Sequence, residues 1–337
     1  MSLQRFALFL LVAALCCIIA VPVMGDYVLT VYSGRNESLI GPILAQFTED
    51  TGIETEILYG GTSAVANQIL TEGENSPADV FIAQDGGALG ALAAAGMLHK
   101  LPDATLERVA SAAFVSPDGF WTGLSGRARV FVYSPESLDE HGLELPTSIL
   151  DLTGEAWSGL VGWAPTNASF VANVTAMRVL LGEEETAGWL AGMIANGVQA
   201  YPKNTPIVQA TIDGEVVGGL VNHYYLFRFL AEDPDITSTL HFFPAGDLGS
   251  LINVAGAAVL KSTDQPYDAL ALVDYLLSDT AQEYFAQRTY EYPLVATVDP
   301  SVDLPALADI ESPDIDLSDL ADLQGTLEMI EESGALD

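Results

Sequence analysis

Two hydrophobic periods alternate along the chain after its first 25 residues. Short apolar runs bounded by turn residues are typical of strands, and apolar residues three and four apart are typical of amphipathic helices. In the first half the predicted strands are 27–33, 53–60 and 78–84, and the helices that follow them are 37–52, 62–74 and 87–98. Thr62 has a side chain suited to the N-cap of the second helix. Alternation of this kind predicts a parallel sheet wrapped by helices.

The alternation starts again after the segment 122–138. Here the predicted strands are 159–165, 216–222 and 251–260, and the predicted helices are 168–196, split near Gly182, then 206–215 and 266–287. No internal repeat and no low-complexity linker separates the two halves. We therefore expect an α/β fold of two lobes, each a sheet wrapped by helices, with crossover strands as the hinge.

The expected lobes combine segments that are distant in sequence. We assign 26–127 plus 255–304 to lobe 1 and 128–254 plus 305–337 to lobe 2. Ligands of open α/β sheets bind beyond the carboxyl ends of the strands, and paired lobes commonly close around a ligand by hinge motion. The sequence thus predicts a ligand cleft between the lobes.

Residues 1–25 differ from the rest of the chain. They contain one Arg, no acidic residue and a long apolar run, which is typical of a signal peptide; an N-terminal membrane anchor is the alternative. Both cysteines, Cys16 and Cys17, lie in this segment, so the part after it has no thiol for a disulfide, a zinc site or a nucleophile. We expect an exported protein, periplasmic or at the cell surface.

Charge narrows the range of partners. The chain has 46 acidic and 11 basic residues, a net charge of −35, which repels nucleic acid and anionic lipid. Residues 298–337 contain no Lys or Arg, and their apolar residues near the end have helical spacing. We expect a solvated amphipathic helix there.

Catalytic motifs are missing from the sequence. The four histidines lack metal-ligand spacing, and there is no nucleophile elbow, phosphate-binding glycine loop or dinucleotide fingerprint. The glycine-rich run 86–96 is interpreted as a small-residue helix against a sheet. What remains is a set of polar loops at predicted strand ends, namely 33–38, 83–87, 165–170, 202–205 and 222–225. These features favour a binding protein over an enzyme.

Two adjacent tyrosines, Tyr224 and Tyr225, follow a buried strand where a helix is predicted to start. Neighbours in a helix lie about 100° apart, so both rings could lean into one cavity. A phenol with its ordinary pKa of about 10 stays protonated unless a strong Lewis acid displaces the proton. Ferric iron is such an ion, whereas zinc favours His and Cys. Packing in the core is the alternative role for the pair.

The chain resembles the ferric-ion-binding proteins of ABC iron importers, often called bacterial transferrins. The segments that carry the resemblance are "LTVYSGRNESL" (29–39), "SPADVFIAQ" (76–84), "LSGRARVFVY" (124–133), "VGWAPTNASF" (161–170), "YPKNTPIVQA" (201–210), "VNHYYLFRF" (221–229), "GAAVLKST" (256–263) and "EYPL" (291–294). The resemblance implies a two-lobed, hinged, monomeric solute-binding protein. It also implies that Tyr224 and Tyr225 bind ferric iron in the cleft and that an ABC permease and ATPase are the partners.

The resemblance implies further site residues and shows where the chain departs from the family. The best-known members have a histidine where this chain has Asn36 and a glutamate where it has Gln84, so these two are weaker metal candidates. Other members bring a third tyrosine from the loop near Phe170. A co-bound anion, phosphate or carbonate, is implied at Asn167, Ala168, Ser169, Asn204 and Asn222, with Arg127 in support and Arg35 as a weaker candidate.

Two other functional hypotheses stay open from the sequence. The same fold could bind another metal, an iron chelate or an oxyanion alone, because the His and Glu equivalents are missing. A secreted hydrolase or transferase on a similar scaffold is the third, although no nucleophile–base pair is visible in the sequence.

Overall fold

The computed structural model describes residues 28–244 and 246–336. The signal peptide or anchor predicted at 1–25 lies outside them. Among the described residues, no helix is long and apolar enough to cross a membrane.

Strands and helices alternate through most of the described chain. The strands are β1 Val28–Ser33, β2 Glu54–Tyr59, β3 Val80–Ala83, β4 Thr122–Tyr133, β5 Val161–Trp163, β6 Gln199–Ala200, β7 Gly218–Asn222, β8 Thr239–His241, β9 Ile252–Val259 and β10 Tyr292–Pro293. The α-helices are α1 Glu37–Thr51, α2 Thr62–Glu72, α3 Gly86–Ala94, α4 Asp103–Leu106, α5 Pro135–Glu140, α6 Ala168–Leu181, α7 Glu183–Ala195, α8 Asn204–Ile212, α9 Tyr224–Glu232, α10 Pro266–Leu276, α11 Asp279–Tyr284 and α12 Leu323–Glu332. The predicted strand–helix alternation is confirmed, with shifts at the ends of elements.

The strands are hydrogen-bonded in the order β2-β1-β3-β9-β4-β7-β5-β6. The first part, β2-β1-β3, is parallel, as the alternation predicts. On the other side, β7 and β6 both run parallel to β5. Between these two parallel groups lie β9 and β4, which are antiparallel to their neighbours.

Strand β4 connects the two groups because it changes partners along its length. Its first part, through Ala128, pairs with β9, and its last five residues, Arg129–Tyr133, pair with β7. The strand is buried along almost its whole length, consistent with its position between the two groups. A crossover strand was predicted, and this arrangement places its middle residues where the two halves meet.

The long predicted helix 266–287 is interrupted. Helix α10 ends at Leu276, and Ser278 starts α11 by accepting a hydrogen bond from the backbone N–H of Ala281. A serine at this place satisfies an N–H group that a new helix would otherwise leave unpaired, so a second helix begins. A π-helical turn, Phe285–Thr289, follows α11.

The small-residue helix α3 packs differently from the prediction. A side chain on Gly86, Gly87 or Gly90 would collide with the short segment Leu317–Ala321, at 2.8 Å or less. The glycines therefore allow this C-terminal segment to lie directly on the helix, in addition to the sheet contact on the Leu89 side.

The acidic C-terminal region forms the predicted amphipathic helix, α12, but it is not merely solvated. Its residues Leu323, Thr326 and Ile330 are buried. The Thr326 hydroxyl lies 2.8 Å from the Thr175 hydroxyl of α6. Packing of one apolar face onto α6 stabilises this helix, and Arg178 of α6 adds a 3.0 Å ion pair with Asp322 at its start.

A buried ion pair joins the loop after β1 to the start of β10. Arg35 Nη2 lies 2.8 Å from Glu291 Oε2, and both side chains are about 1% exposed or less. The hydroxyls of Ser125 and Thr289 also donate to the Glu291 carboxylate. Burial alone would raise the pKa of Glu291, but Arg35 and Arg127 outweigh it and hold the pKa below its ordinary value. The pair fixes the loop that leads into α1.

Replacing Glu291 by Gln should therefore destabilise the protein by about 3 to 5 kcal/mol, because it leaves a buried arginine without its counter-charge. The lowered pKa means that the wild-type contribution is present above the carboxyl's unfolded pKa and is lost as the pH falls. Urea unfolding at pH 7 and at pH 4 measures both effects. Glu283→Gln, on exposed α11 surface, is the control, and equal stabilities of the two variants would contradict the role of the pair.

Candidate functional site

The tyrosine pair begins helix α9, and His223 is the one residue between the end of strand β7 and this helix. The His223 Nδ1 atom accepts from the Ala128 N–H at 3.1 Å, and Nε2 donates to the Tyr290 carbonyl at 2.9 Å. Burial lowers the pKa of His223 to about 4, so its ring is neutral and has one donor and one acceptor nitrogen. Both nitrogens are used, which fixes the start of α9 against β4.

The two rings share one orientation and one cavity. Their centroids are 4.4 Å apart and their planes differ by 31°. Tyr224 is 3% exposed, and Tyr225 is half-buried. The guanidinium carbon of Arg228, one turn further along α9, lies 5.1 Å and 5.4 Å from the two ring centres. This cation–π stack holds both rings in place before any ligand arrives.

Burial makes the Tyr224 proton difficult to remove. Desolvation raises the pKa of Tyr224 well above its ordinary value, and the neighbouring Tyr225 phenol raises it further. In the empty site the Tyr224 hydroxyl is therefore neutral at physiological pH. A positive ion must pull the proton away before this oxygen can become an anionic ligand.

Both hydroxyl-bearing residues line a cavity of about 460 Å³. The rest of the lining comes from the loop after β1, the start of α1, the end of β2, the loop before α2, the end of β3, the middle of β4, the start of α6 and the end of β7. These lining residues are Gly34, Arg35, Asn36, Glu37, Tyr59, Gly60, Gly61, Thr62, Gln84, Arg127, Asn167, Ala168, Ser169 and Asn222. The fold thus brings both weaker metal candidates and all but one of the anion candidates together with the tyrosine pair.

The two amide candidates face the cavity with groups available for a ligand. Asn36 occupies the N-cap position of α1, yet its side chain makes no capping hydrogen bond. The Gln84 Oε1 atom is buried and accepts no hydrogen bond from any described residue. A buried acceptor without a donor costs free energy, so it favours a ligand that would pair with it. Phe170, by contrast, is fully buried against Trp163 and offers no oxygen.

Thr62 is not the N-cap of α2; Gly61 is. The Thr62 hydroxyl instead donates to the Gly34 carbonyl and accepts from the Gln84 N–H, both at 3.2 Å. A Cβ atom at Gly34 would come within 2.4 Å of this hydroxyl, so glycine is required for the close approach. The Thr62 hydroxyl thereby joins three loops of the cavity wall instead of capping α2 as predicted.

The predicted anion residues form one hydrogen-bonded group at the start of α6. The Asn167 side chain caps the helix by accepting from the Ser169 N–H at 3.1 Å and from its hydroxyl at 2.6 Å. Asn204 is fully buried behind them, outside the cavity lining, and donates to both Asn167 and Ser169 at 3.3 Å. The first N–H groups of α6 have no intrahelical acceptor, so this end of the cavity suits an anion.

Two buried arginines on one face of β4 add positive charge. Arg127 is 3% and Arg129 is 2% exposed. Arg129 Nη1 donates to Asn222 Oδ1 at 3.1 Å and to Ser169 Oγ at 3.3 Å, whereas its Nε and Nη2 find no acceptor among the described residues, and neither does Arg127 Nε. Burial lowers the pKa of Arg129 to about 10, so it stays charged at neutral pH. No described acidic residue forms an ion pair with either arginine.

Sequence reasoning missed several residues of the site. In the sequence Arg129 is only a basic residue within the segment 124–133, because its role depends on contacts with β7 and α6. Glu37 and Tyr59 also line the cavity, although only their positions next to a polar loop and at a strand end could have indicated this. Arg35, the weaker anion candidate, lines the wall but has its guanidinium paired with Glu291. No cluster of three or more His, Cys, Asp or Glu suited to a metal exists in the described ranges.

Comparisons with known proteins found similar sequences and structures. Residues 75–321 match a family model described as bacterial extracellular solute-binding protein. The major ferric iron-binding protein of Neisseria meningitidis serogroup A is 34% identical over 333 residues, 98% of each chain. The crystal structure of iron-bound HitA from Pseudomonas aeruginosa is similar with a TM-score of 0.83 and 35% identity, over 91% of this chain and 99% of that one. A Trichodesmium protein in complex with iron and citrate has a TM-score of 0.74 and 25% identity, over 91% and 99%.

Thr62→Val should destabilise the protein by about 1 to 3 kcal/mol, because a partly buried carbonyl and a partly buried N–H lose the hydroxyl between them. Thermal unfolding measures the change. Thr71→Val on the exposed side of α2 is the matched control, with an expected effect of about 0.5 kcal/mol or less. A Thr62→Val protein as stable as this control would show that the three loops do not depend on the hydroxyl.

Proposed function

The chain belongs to the bacterial extracellular solute-binding protein family, and we propose that it captures ferric iron at Tyr224 and Tyr225 and passes it to an ABC importer. The family consists of transport proteins that bind a solute, and the hydrolase or transferase hypothesis is set aside for that reason. The protein is exported, as its family is extracellular. Its fold is the two-lobed solute-binding fold shared with iron-bound HitA.

The paired phenols carry the proposal. Two phenol rings whose centres lie 4.4 Å apart at the wall of a polar cavity are preorganised for one small cation. A trication has the charge needed to displace both protons, and the resulting phenolates are hard anionic ligands. Asn36 and Gln84 then offer neutral amide oxygens on the other side of the cavity. Iron binding is therefore expected to release protons and to weaken as the pH falls.

An oxyanion is proposed to bind beside the iron, held by Asn167, Ala168, Ser169, Asn222 and Arg127. Asn204 is proposed to support it from behind. The start of α6 and the unpaired N–H of Arg127 favour negative charge there. Phosphate or carbonate suits these donors, and citrate accompanies iron in the Trichodesmium structure; all present anionic oxygens.

Closure of the two lobes is proposed to bury the bound iron, with a permease and an ATPase as partners and the monomer as the working unit. The proposed lobes remain 26–127 plus 255–304 and 128–254 plus 305–337. The change of partners in β4 near Ala128 supports the first boundary. An anchor within residues 1–25 would keep the protein near its permease.

One observation supports a second candidate, binding of an oxyanion or of an iron chelate. The buried Nε of Arg127 and the buried Nε and Nη2 of Arg129 have no acceptor among the described residues, and they can pair with an anion in the absence of metal. Calorimetry with phosphate, bicarbonate or citrate on the iron-free protein distinguishes the two. Tight binding of one of these anions without iron would favour the second candidate.

Tyr224→Phe and Tyr225→Phe should each remove most of a visible phenolate-to-iron charge-transfer band and strongly weaken iron binding. Each variant loses one anionic oxygen while the ring keeps its packing, so the fold should be retained. Titration with ferric nitrilotriacetate, followed by visible absorption, measures both the band and the affinity.

The matched control for these variants is Tyr267→Phe, which removes a phenol that is 87% exposed. It should keep the band and the affinity of the wild type. If the Tyr224 and Tyr225 variants also kept full colour and affinity, the metal assignment would be wrong.

Arg127→Gln should reduce the gain in iron affinity that phosphate or bicarbonate provides, because it removes a cation from the proposed anion site. Iron titrations with and without each anion, in the wild type and the variant, measure this gain. Lys203→Gln, with its side chain exposed near α8, is the control. An unchanged anion effect in Arg127→Gln would exclude this residue from the anion site.

A further inference from the structure

The protein side chains considered so far do not balance the charge of a ferric ion, and the charge of the proposed oxyanion is offset by the cationic Arg127 that would hold it. Two phenolates supply two negative charges to an ion with three positive charges. Asn36 and Gln84 are neutral, and Arg127 and Arg129 add positive charge nearby. A net positive charge in a partly buried cavity is unfavourable, so a further anionic ligand is expected.

Glu37 is the one carboxylate among the residues that line the cavity. It is the first residue of α1 and follows Asn36 directly, on the wall formed by the loop after β1. Its side chain is exposed, and it forms no hydrogen bond or ion pair with any other side chain of the described residues. A carboxylate in the first turn also favours the helix dipole, but that role does not require it to face a ligand cavity.

Glu37 and Tyr59 lie next to each other at the edge of the cavity. A side chain on Gly41, one turn along α1, would lie 3.3 Å from Glu37 Cγ and 3.1 Å from the Tyr59 hydroxyl. Gly41 lines a neighbouring surface groove, and Glu37 and Tyr59 line both this groove and the cavity. Tyr59 is half-buried and can donate a hydrogen bond that positions a neighbouring carboxylate.

We infer that Glu37, at the start of α1, is a third anionic iron ligand, alongside the neutral amides of Asn36 and Gln84. This inference rests on the proposed iron function. The carboxylate is already ionised at neutral pH, so it adds negative charge without releasing a proton. Two phenolates and one carboxylate together neutralise a ferric ion, so the co-bound anion supplies coordination more than charge.

Glu37→Gln tests the inference because it keeps the size of the side chain and removes only the charge. Iron affinity, measured by competition with nitrilotriacetate, should fall by at least the roughly 10- to 100-fold typical of losing an outer partner of a metal ligand. The phenolate-to-iron band should persist and shift to longer wavelength, since iron with one fewer anionic donor accepts charge more easily. Added phosphate or bicarbonate should also improve the affinity more in the variant than in the wild type.

Two comparisons make the test specific. Glu49→Gln removes the same charge from the other end of α1, away from this cavity, and should behave as the wild type. Asn36→Ala and Gln84→Ala should each cost less affinity than Glu37→Gln. Thermal unfolding of the iron-free variants checks that the fold is kept.

The possible failures of the two proposals are distinguishable. If the wild type binds iron with the band and Glu37→Gln matches Glu49→Gln in affinity, wavelength and anion effect, Glu37 is not a ligand while the iron function stands. If the wild type binds no iron and shows no band, both proposals are overturned.

Discussion

Two phenols in one cavity can bind a metal ion as anions only by giving up their protons, and burial raises the pKa of Tyr224, which makes that proton hard to remove. This constraint explains much of the arrangement around Tyr224 and Tyr225. His223 locks the start of their helix through both ring nitrogens, and Arg228 stacks over both rings, so the oxygens are positioned before the ion arrives. The cost of ionising buried phenols selects against weakly charged cations and favours a trication.

Different walls of the cavity carry different chemical groups. The proposed tyrosine ligands lie on α9, and the loop after β1, the first residue of α1 and the end of β3 place two amides and a carboxylate at the cavity. Strand β4 adds two buried arginines, and it does so at the point where it changes sheet partners. The cationic groups therefore lie where the two groups of strands meet, and Arg127 itself lines the cavity.

Periodicity in the sequence was sufficient for the architecture and for the position of the tyrosine pair, since both depend on local pattern. It was not sufficient for contacts between distant residues. Arg35 and Glu291 are 256 residues apart and pair only because the loop after β1 meets β10. The Thr62 hydroxyl was predicted to cap a helix, yet it bonds Gly34 and Gln84, whose proximity no local pattern contains. Glu37 was overlooked because the resemblance directed attention to its neighbour Asn36, which stands where the best-known family members have a histidine.

The most direct test of the central claim is an anomalous difference map, recorded at the iron absorption edge, from crystals of the iron-loaded protein. The account predicts one strong peak bound by the hydroxyl oxygens of both Tyr224 and Tyr225. A peak located elsewhere, with these two oxygens hydrogen-bonded only to protein or water, would contradict it.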